Sequence, residues 1–154
     1  MSSTTGRWRL PLRGRGGRFS DSVAGGDAVV HLDAHLSSVG AARRFVEAAL
    51  GPSVPADVVT DLVLATSELV TNAIEHAHTL PGVDVTVRVA NRTAYVTVMS
   101  CGDHSGLAEA ELWATSAPDV RSGRGLGIVR AISDHVDVVR AGDAVYITIQ
   151  RRFG

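Results

Sequence analysis

Lysine is absent from this chain: all fifteen of its basic residues are arginine. A Walker A phosphate loop needs its lysine, and so does Schiff-base chemistry, so both are excluded. The single cysteine, Cys101, excludes an intrachain disulfide and a multi-cysteine zinc site. No apolar run approaches the roughly 18 residues of a membrane span, so no membrane partner is expected. The arginines near the N-terminus are not followed by an apolar stretch, which argues against a secretory signal and makes the cytoplasm the expected location. A formal net charge of −1 gives the molecule no overall pull toward nucleic acid, and direct nucleic-acid binding is not expected. Aromatics are sparse at 5%, yet a hydrophobic content of 45% over 154 residues is enough for one ordinary core.

What is present divides the chain in two. Residues 1–27 are rich in Gly, Ser and Arg, with Arg7, Arg9, Arg13, Arg15 and Arg18 ahead of the first acid, Asp21. Such a segment buries too little to offset its ordering entropy, and a disordered tail is expected. Trp8, Leu10 and Leu12 are its few apolar residues. Residues 28–154 read as one folded domain.

Within that domain, Ala28–Leu32 is a short strand. Ser37 or Ser38 can cap a helix to about Leu50, with Val39, Ala42, Phe45, Val46 and Ala49 on its inner side. Gly51-Pro52 stops it. Ser53 is a second candidate cap, with Pro55 in the first turn of a longer helix that ends between Ala77 and Leu80. Val83, Val85, Val87 and Val89 alternate with polar residues, as does the run Tyr95–Ser100, so these two strands form a hairpin around Asn91-Arg92-Thr93. Ser100 has the parity of Val96 and Val98 and should end the buried face. Leu107–Trp113 can form a short helix, and Ala114–Gly123 reads as a loop. After Gly123-x-Gly125-x-Gly127 comes an apolar helix, then strands at His135–Arg140 and Ala144–Arg151. Strand, two helices, hairpin, helix, hairpin is not the alternation of a doubly wound parallel sheet. The expected class is α+β, a mostly antiparallel sheet with helices on one face.

Two stretches carry chemistry. Glu68 and Asn72 stand one helical turn apart and so share a face, beside a small apolar stripe of Ala65, Leu69, Ala73 and Ala77. Oxygen ligands of this kind suit Mg²⁺ held together with substrate phosphates. Gly123, Gly125 and Gly127 open a helix, where close backbone approach and free N–H groups favour an anion. Taken alone, each has a plainer explanation: a solvated face, and a hinge before a helix. His76, His78 and His104 match no standard metal spacing, and Cys101 has no cationic activator near it in sequence.

Together, in this order, the stretches Ser67–Ala77 (S-E-L-V-T-N-A-I-E-H-A) and Gly123–Val129 (G-R-G-L-G-I-V) resemble those of the GHKL ATPases, most closely the small bacterial anti-sigma-factor serine/threonine kinases. The resemblance runs from about Val29 to Phe153. It implies a Bergerat-type two-layer sandwich that binds ATP and Mg²⁺. Glu68 matches the family's general base and Asn72 its Mg²⁺ ligand. Gly123, Gly125 and Gly127 match the phosphate-binding glycines, and Ala114–Ser122 matches the lid. Arg121 and Arg124 are candidate phosphate partners. The implied protein partners are a sigma factor and an anti-sigma-factor antagonist, and dimerisation is a family expectation.

The sequence departs from the family where adenine is expected. The pattern Asp-x-Gly-x-Gly is replaced by Ser100-Cys101-Gly102-Asp103-His104, which keeps Gly102 but puts Ser100 in place of the acid that accepts the adenine amino group. A threonine expected on the last hairpin is replaced by Ala144, beside Asp143. Losing a charged acceptor costs about 1.5–3 kcal/mol. Two readings stay open: a protein kinase that retains ATP through Ser100, a bridging water or Asp103, and a binding module of the same fold that regulates a partner without ATP turnover. The catalytic piece of a histidine kinase is a poorer fit, since no helix with a phospho-acceptor histidine is legible before Ala28.

Overall fold

The computed structural model describes residues 27–76, 82–102 and 124–154. The strands are β1 (Ala28–Asp33), β2 (Gly82–Ala90), β3 (Thr93–Cys101), β4 (His135–Ala141) and β5 (Ala144–Arg152). The helices are α1 (Ser38–Leu50), α2 (Ala56–His76) and α3 (Arg124–Ile132), with a single 3₁₀ turn at Gly51–Ser53. The five strands form one sheet in the order β1-β2-β3-β5-β4, and every neighbouring pair is antiparallel. This is the α+β layering read from the sequence.

The valine alternation decides which face is covered. Val83, Val85 and Val87 on β2, Val96 and Val98 on β3, and Val145, Ile147 and Ile149 on β5 are all buried. Ala42, Phe45, Val46 and Leu50 of α1, and Val58, Leu62, Ala65, Leu69 and Ala73 of α2, complete the same core. Each fully buried Val, Leu or Ile contributes about 1.5–3 kcal/mol, so this layer stabilises the domain. The intervening residues, such as Thr86, Thr97, Met99, Tyr146 and Thr148, lie on the other face and are only partly buried. There the Thr97 and Thr148 hydroxyls hydrogen-bond at 2.8 Å, and the Arg88 guanidinium lies 4.3 Å from the centre of the Tyr95 ring.

Helix α1 starts where the sequence places it, and α2 starts later, at Ala56, beyond its candidate cap. Ser37 occupies the N-cap position of α1 without a side-chain cap bond. Its Oγ instead lies 2.7 Å from His35 Nδ1, a nearer partner than the helix amides. Ser53 does not cap α2 either. It ends the 3₁₀ turn, and its hydroxyl donates to the Leu50 carbonyl at 2.9 Å. Pro55 then stands just before α2, its carbonyl accepting the Val59 N–H at 3.0 Å. The turn at Asn91-Arg92 is tighter than expected: both residues have positive φ, 51° and 55°, as a two-residue hairpin turn matching strand twist requires. The tail, the helix at Leu107–Trp113 and the loop at Ala114–Gly123 fall outside the described residues.

Candidate functional site

Helix α2 builds one wall. Leu62, Ala65, Leu69 and Ala73 face the core at 0%, 0%, 2% and 7% exposure, so the helix is held rigidly against the sheet. Glu68 and Asn72 flank this stripe and are half-buried. The hydroxyls nearby are already used. Thr66 donates to the Leu62 carbonyl at 2.7 Å and Ser67 to the Val63 carbonyl at 2.9 Å. A carboxylate and a carboxamide stand one turn apart on this wall.

Helix α3 meets them. It begins at Arg124, so Gly125 and Gly127 lie inside its first turn rather than ahead of it. The change favours anion binding, because the first four N–H groups of a helix have no intrahelical partner. Gly125, at the second helical position, therefore offers a backbone donor at the end of the helix where negative charge is favoured. Gly127 is buried. Gly125 is pressed against α2: a Cβ added to it would stand 2.5 Å from Glu68 Oε2 and 3.4 Å from Glu68 Cδ. Any side chain there would push the carboxylate away. The Glu68 carboxylate and the α3 N-terminus are thus parts of one site. The side chain of Arg124 lies outside the described residues, as do Gly123, Arg121 and Asp103.

The third part is the end of β3. Ser100 is 5% exposed and pairs with Val83 on one side and Val145 on the other. It ends the helix-facing row, as the alternation predicts. Gly102 follows with φ 138°, a conformation side chains rarely adopt, and its N–H donates to the Asp143 carbonyl at 3.0 Å. Ala144 pairs with Cys101, which puts it in phase with the open face; it does not neighbour Ser100 on the helix-facing side.

The arrangement offers a hard-oxygen corner at Glu68 and Asn72 and a helix start with the free amides that suit an anion, while Ser100 is a buried hydroxyl at the end of β3. The first two fit Mg²⁺ and phosphates, since Mg²⁺ binds through one or two protein oxygens plus phosphate oxygens and water. Among the described residues, no group of three or more His, Cys, Asp or Glu side chains could hold a metal ion by itself. One feature tying α2 to the sheet escapes sequence reading: Arg151 of β5 reaches Asp61 of α2 at 2.9 Å and Asp134 at 3.6 Å, a triad whose members are far apart in the chain and carry no local signal.

The sequence matches the histidine kinase-like ATPase domain family over residues 32–149. Comparison with curated proteins finds no match. Among solved structures, the chain is similar to the RsbU and RsbW domains of Rv1364c from Mycobacterium tuberculosis, with a TM-score of 0.62 and 19% identity. The similarity covers 82% of this chain and 32% of that one, so the match spans about a third of the solved chain's length. The shared feature at this identity is the fold.

Proposed function

Since the chain belongs to the histidine kinase-like ATPase domain family, we propose that it is an ATP- and Mg²⁺-dependent protein serine/threonine kinase of the anti-sigma type. It would regulate transcription by partner switching, phosphorylating an anti-sigma-factor antagonist and, when that antagonist is absent, holding a sigma factor. The observation that carries the reading is the contact of Gly125 with Glu68, which sets a carboxylate beside a phosphate-binding helix start. Likeness to a fold that contains an RsbW domain supports the class of partner.

The chemistry follows from the placement. Phosphoryl transfer asks for positioning and charge neutralisation more than for covalent help. Mg²⁺, held by Asn72, would neutralise phosphate charge. The first-turn amides of α3, that of Gly125 among them, hold the phosphates, and Gly123, Gly127 and Arg124 are further candidates by their place in the motif. Glu68 would take the proton from the substrate hydroxyl as its oxygen bonds to the γ-phosphorus of ATP and the bond to the departing ADP oxygen breaks. The rigid seating of α2 keeps the base and the metal ligand in register. No helix among the described residues is long and apolar enough to cross a membrane, and we place the protein in the cytoplasm, with homodimerisation as a further expectation.

Ser100 favours a second reading: the same fold as a partner-binding module without ATP turnover. Calorimetry of Mg²⁺–ATP binding, with Asn72→Ala as control, separates the two. Micromolar binding abolished by the control supports the kinase, and a phosphorylation screen with Glu68→Gln as the inactive control follows. No binding up to millimolar ATP overturns it in favour of the binding module.

A further inference from the structure

We propose that the Glu68 carboxylate and a nucleotide phosphate compete for one seat, the start of α3, so that phosphate entry shifts the carboxylate from the helix start to a place beside the phosphate. The inference rests on the reading of this site as a nucleotide site. It deepens that reading by giving the site a built-in competitor that sets its phosphate affinity.

The placement of the Glu68 side chain carries the argument. A Cβ added to Gly125 would stand 2.5 Å from Oε2, 3.4 Å from Cδ and 3.5 Å from Cβ of Glu68, so the side chain lies along the glycine from its base to its tip. Such a Cβ is about 2.5 Å from its own amide nitrogen by covalent geometry. Oε2 therefore lies within about 5 Å of the Gly125 amide nitrogen. Gly125 is the second residue of α3, so its N–H has no intrahelical partner. The same helix end carries partial positive charge and attracts anions. A phosphate held by these amides puts its oxygens about 2.9 Å from their nitrogens. A carboxylate oxygen and a phosphate oxygen, both negative, repel each other in that space.

The carboxylate is free to give way, and its backbone is not. Among the described residues Glu68 has neither a hydrogen bond nor an ion pair, whereas the neighbouring Thr66 and Ser67 spend their hydroxyls on backbone carbonyls. Beneath it, Ala65 and Leu69 seat α2 in the core. The movable part is thus the half-buried side chain, which changes place by passing between staggered rotamers. Contact with the helix start is its one hold, and the attraction of a helix end for a partly exposed carboxylate is modest. A phosphate carries more charge than the carboxylate and displaces it. The competition weakens phosphate binding without preventing it.

The test measures Mg²⁺–ATP affinity by calorimetry in the full-length chain, in Glu68→Gln and in Glu68→Asp, with circular dichroism to confirm the fold. Glutamine keeps the shape and removes the charge. Aspartate keeps the charge and, one methylene shorter, draws it back from the helix start by about 1.5 Å. Both variants are expected to bind Mg²⁺–ATP more tightly than the parent, by roughly three- to tenfold. Inorganic tripolyphosphate with Mg²⁺, which offers the phosphates without the base, should gain by the same factor. Unchanged or weaker ATP binding in Glu68→Gln overturns the proposal. So does a gain in Glu68→Gln with none in Glu68→Asp, which marks repulsion at a distance and not a shared seat. Absence of ATP and tripolyphosphate binding in all three chains overturns the nucleotide reading itself, an outcome distinct from the other two.

Discussion

Gly125 of α3 and Glu68 of α2 touch so closely that a Cβ on the glycine would stand 2.5 Å from the carboxylate oxygen. The atom in the way is the far end of a flexible side chain, so Gly125→Ala lets the carboxylate swing aside at small steric cost. Alanine also favours a helix over glycine by up to about 1 kcal/mol. The expected Gly125→Ala protein is folded, with a melting temperature equal to or above that of the parent. Displacing a catalytic group by about 1 Å can cost roughly a hundredfold in rate. Phosphate transfer in the variant should fall by about that factor. Melting curves and single-turnover phosphorylation measure the two effects separately; a variant with unaltered transfer would remove Glu68 from the base role.

Gly82→Ala is the opposite case. The added Cβ would fall on the Leu32 backbone carbonyl, with His31 Nε2 at 3.1 Å. A backbone oxygen cannot rotate away, and Leu32 is held in register by Val83. Strain of this kind costs about 1–3 kcal/mol, and about 2–4 °C of melting temperature is lost per kcal/mol in a domain of this size. Thermal unfolding should show Gly82→Ala clearly below the parent. An equal melting temperature would mean that β1 docks without this contact.

These two glycines also show what the sequence reveals. Gly125 sits in a local motif, so its place at a helix start was legible; Gly82 reads only as part of the Pro81-Gly82 break after the helix, because the carbonyl it must clear belongs to a strand far away in the chain. The hairpins and the buried row ending at Ser100 followed from alternation, which is a local signal. Ser37 stands at the N-cap as read but makes no side-chain cap bond, and Ser53 is no cap, because His35 Nδ1 and the Leu50 carbonyl are nearer partners for their hydroxyls. The ladder step joining Gly102 to Asp143 needed the register of β3 on β5, which no single stretch encodes.

Tyr146, on the open face of the sheet, gives a pH test. Burial pushes its phenol above the ordinary 10.0, and Cys101 and Asp84 push the same way. The neutral form is the one the fold favours. The unfolded chain therefore loses this proton first as pH rises, and stability present below pH 10 is lost as pH climbs through the folded value. Ultraviolet titration of a Tyr95→Phe background, which leaves Tyr146 as the single tyrosine, should show ionisation above 10. Adding Asp84→Asn removes one of the three causes and should move the titration down. No movement would assign the shift to burial and Cys101.

The Arg151 triad gives the last prediction. Arg151 contacts Asp61 at 2.9 Å and Asp134 at 3.6 Å, with the three side chains 23%, 32% and 40% exposed. Asp134 Oδ2 also accepts the Arg152 N–H at 2.6 Å, so Asp134 is fixed by backbone as well as by charge. Partial exposure limits each ion pair to about 0–1 kcal/mol, and added salt weakens it further. Arg151→Met keeps most of the apolar stem that packs beneath the guanidinium, so its cost should be electrostatic, about 1 kcal/mol in urea unfolding. In a double-mutant cycle with Asp61→Asn, the coupling should be no more than about 1 kcal/mol and should shrink in 1 M salt. Asp61 lies on α2, the helix that carries Glu68 and Asn72, but near its other end. If the triad only fastens α2 to the sheet, nucleotide affinity should stay within about twofold in Arg151→Met. A larger loss would mean that this ion pair sets the position of α2 at the site.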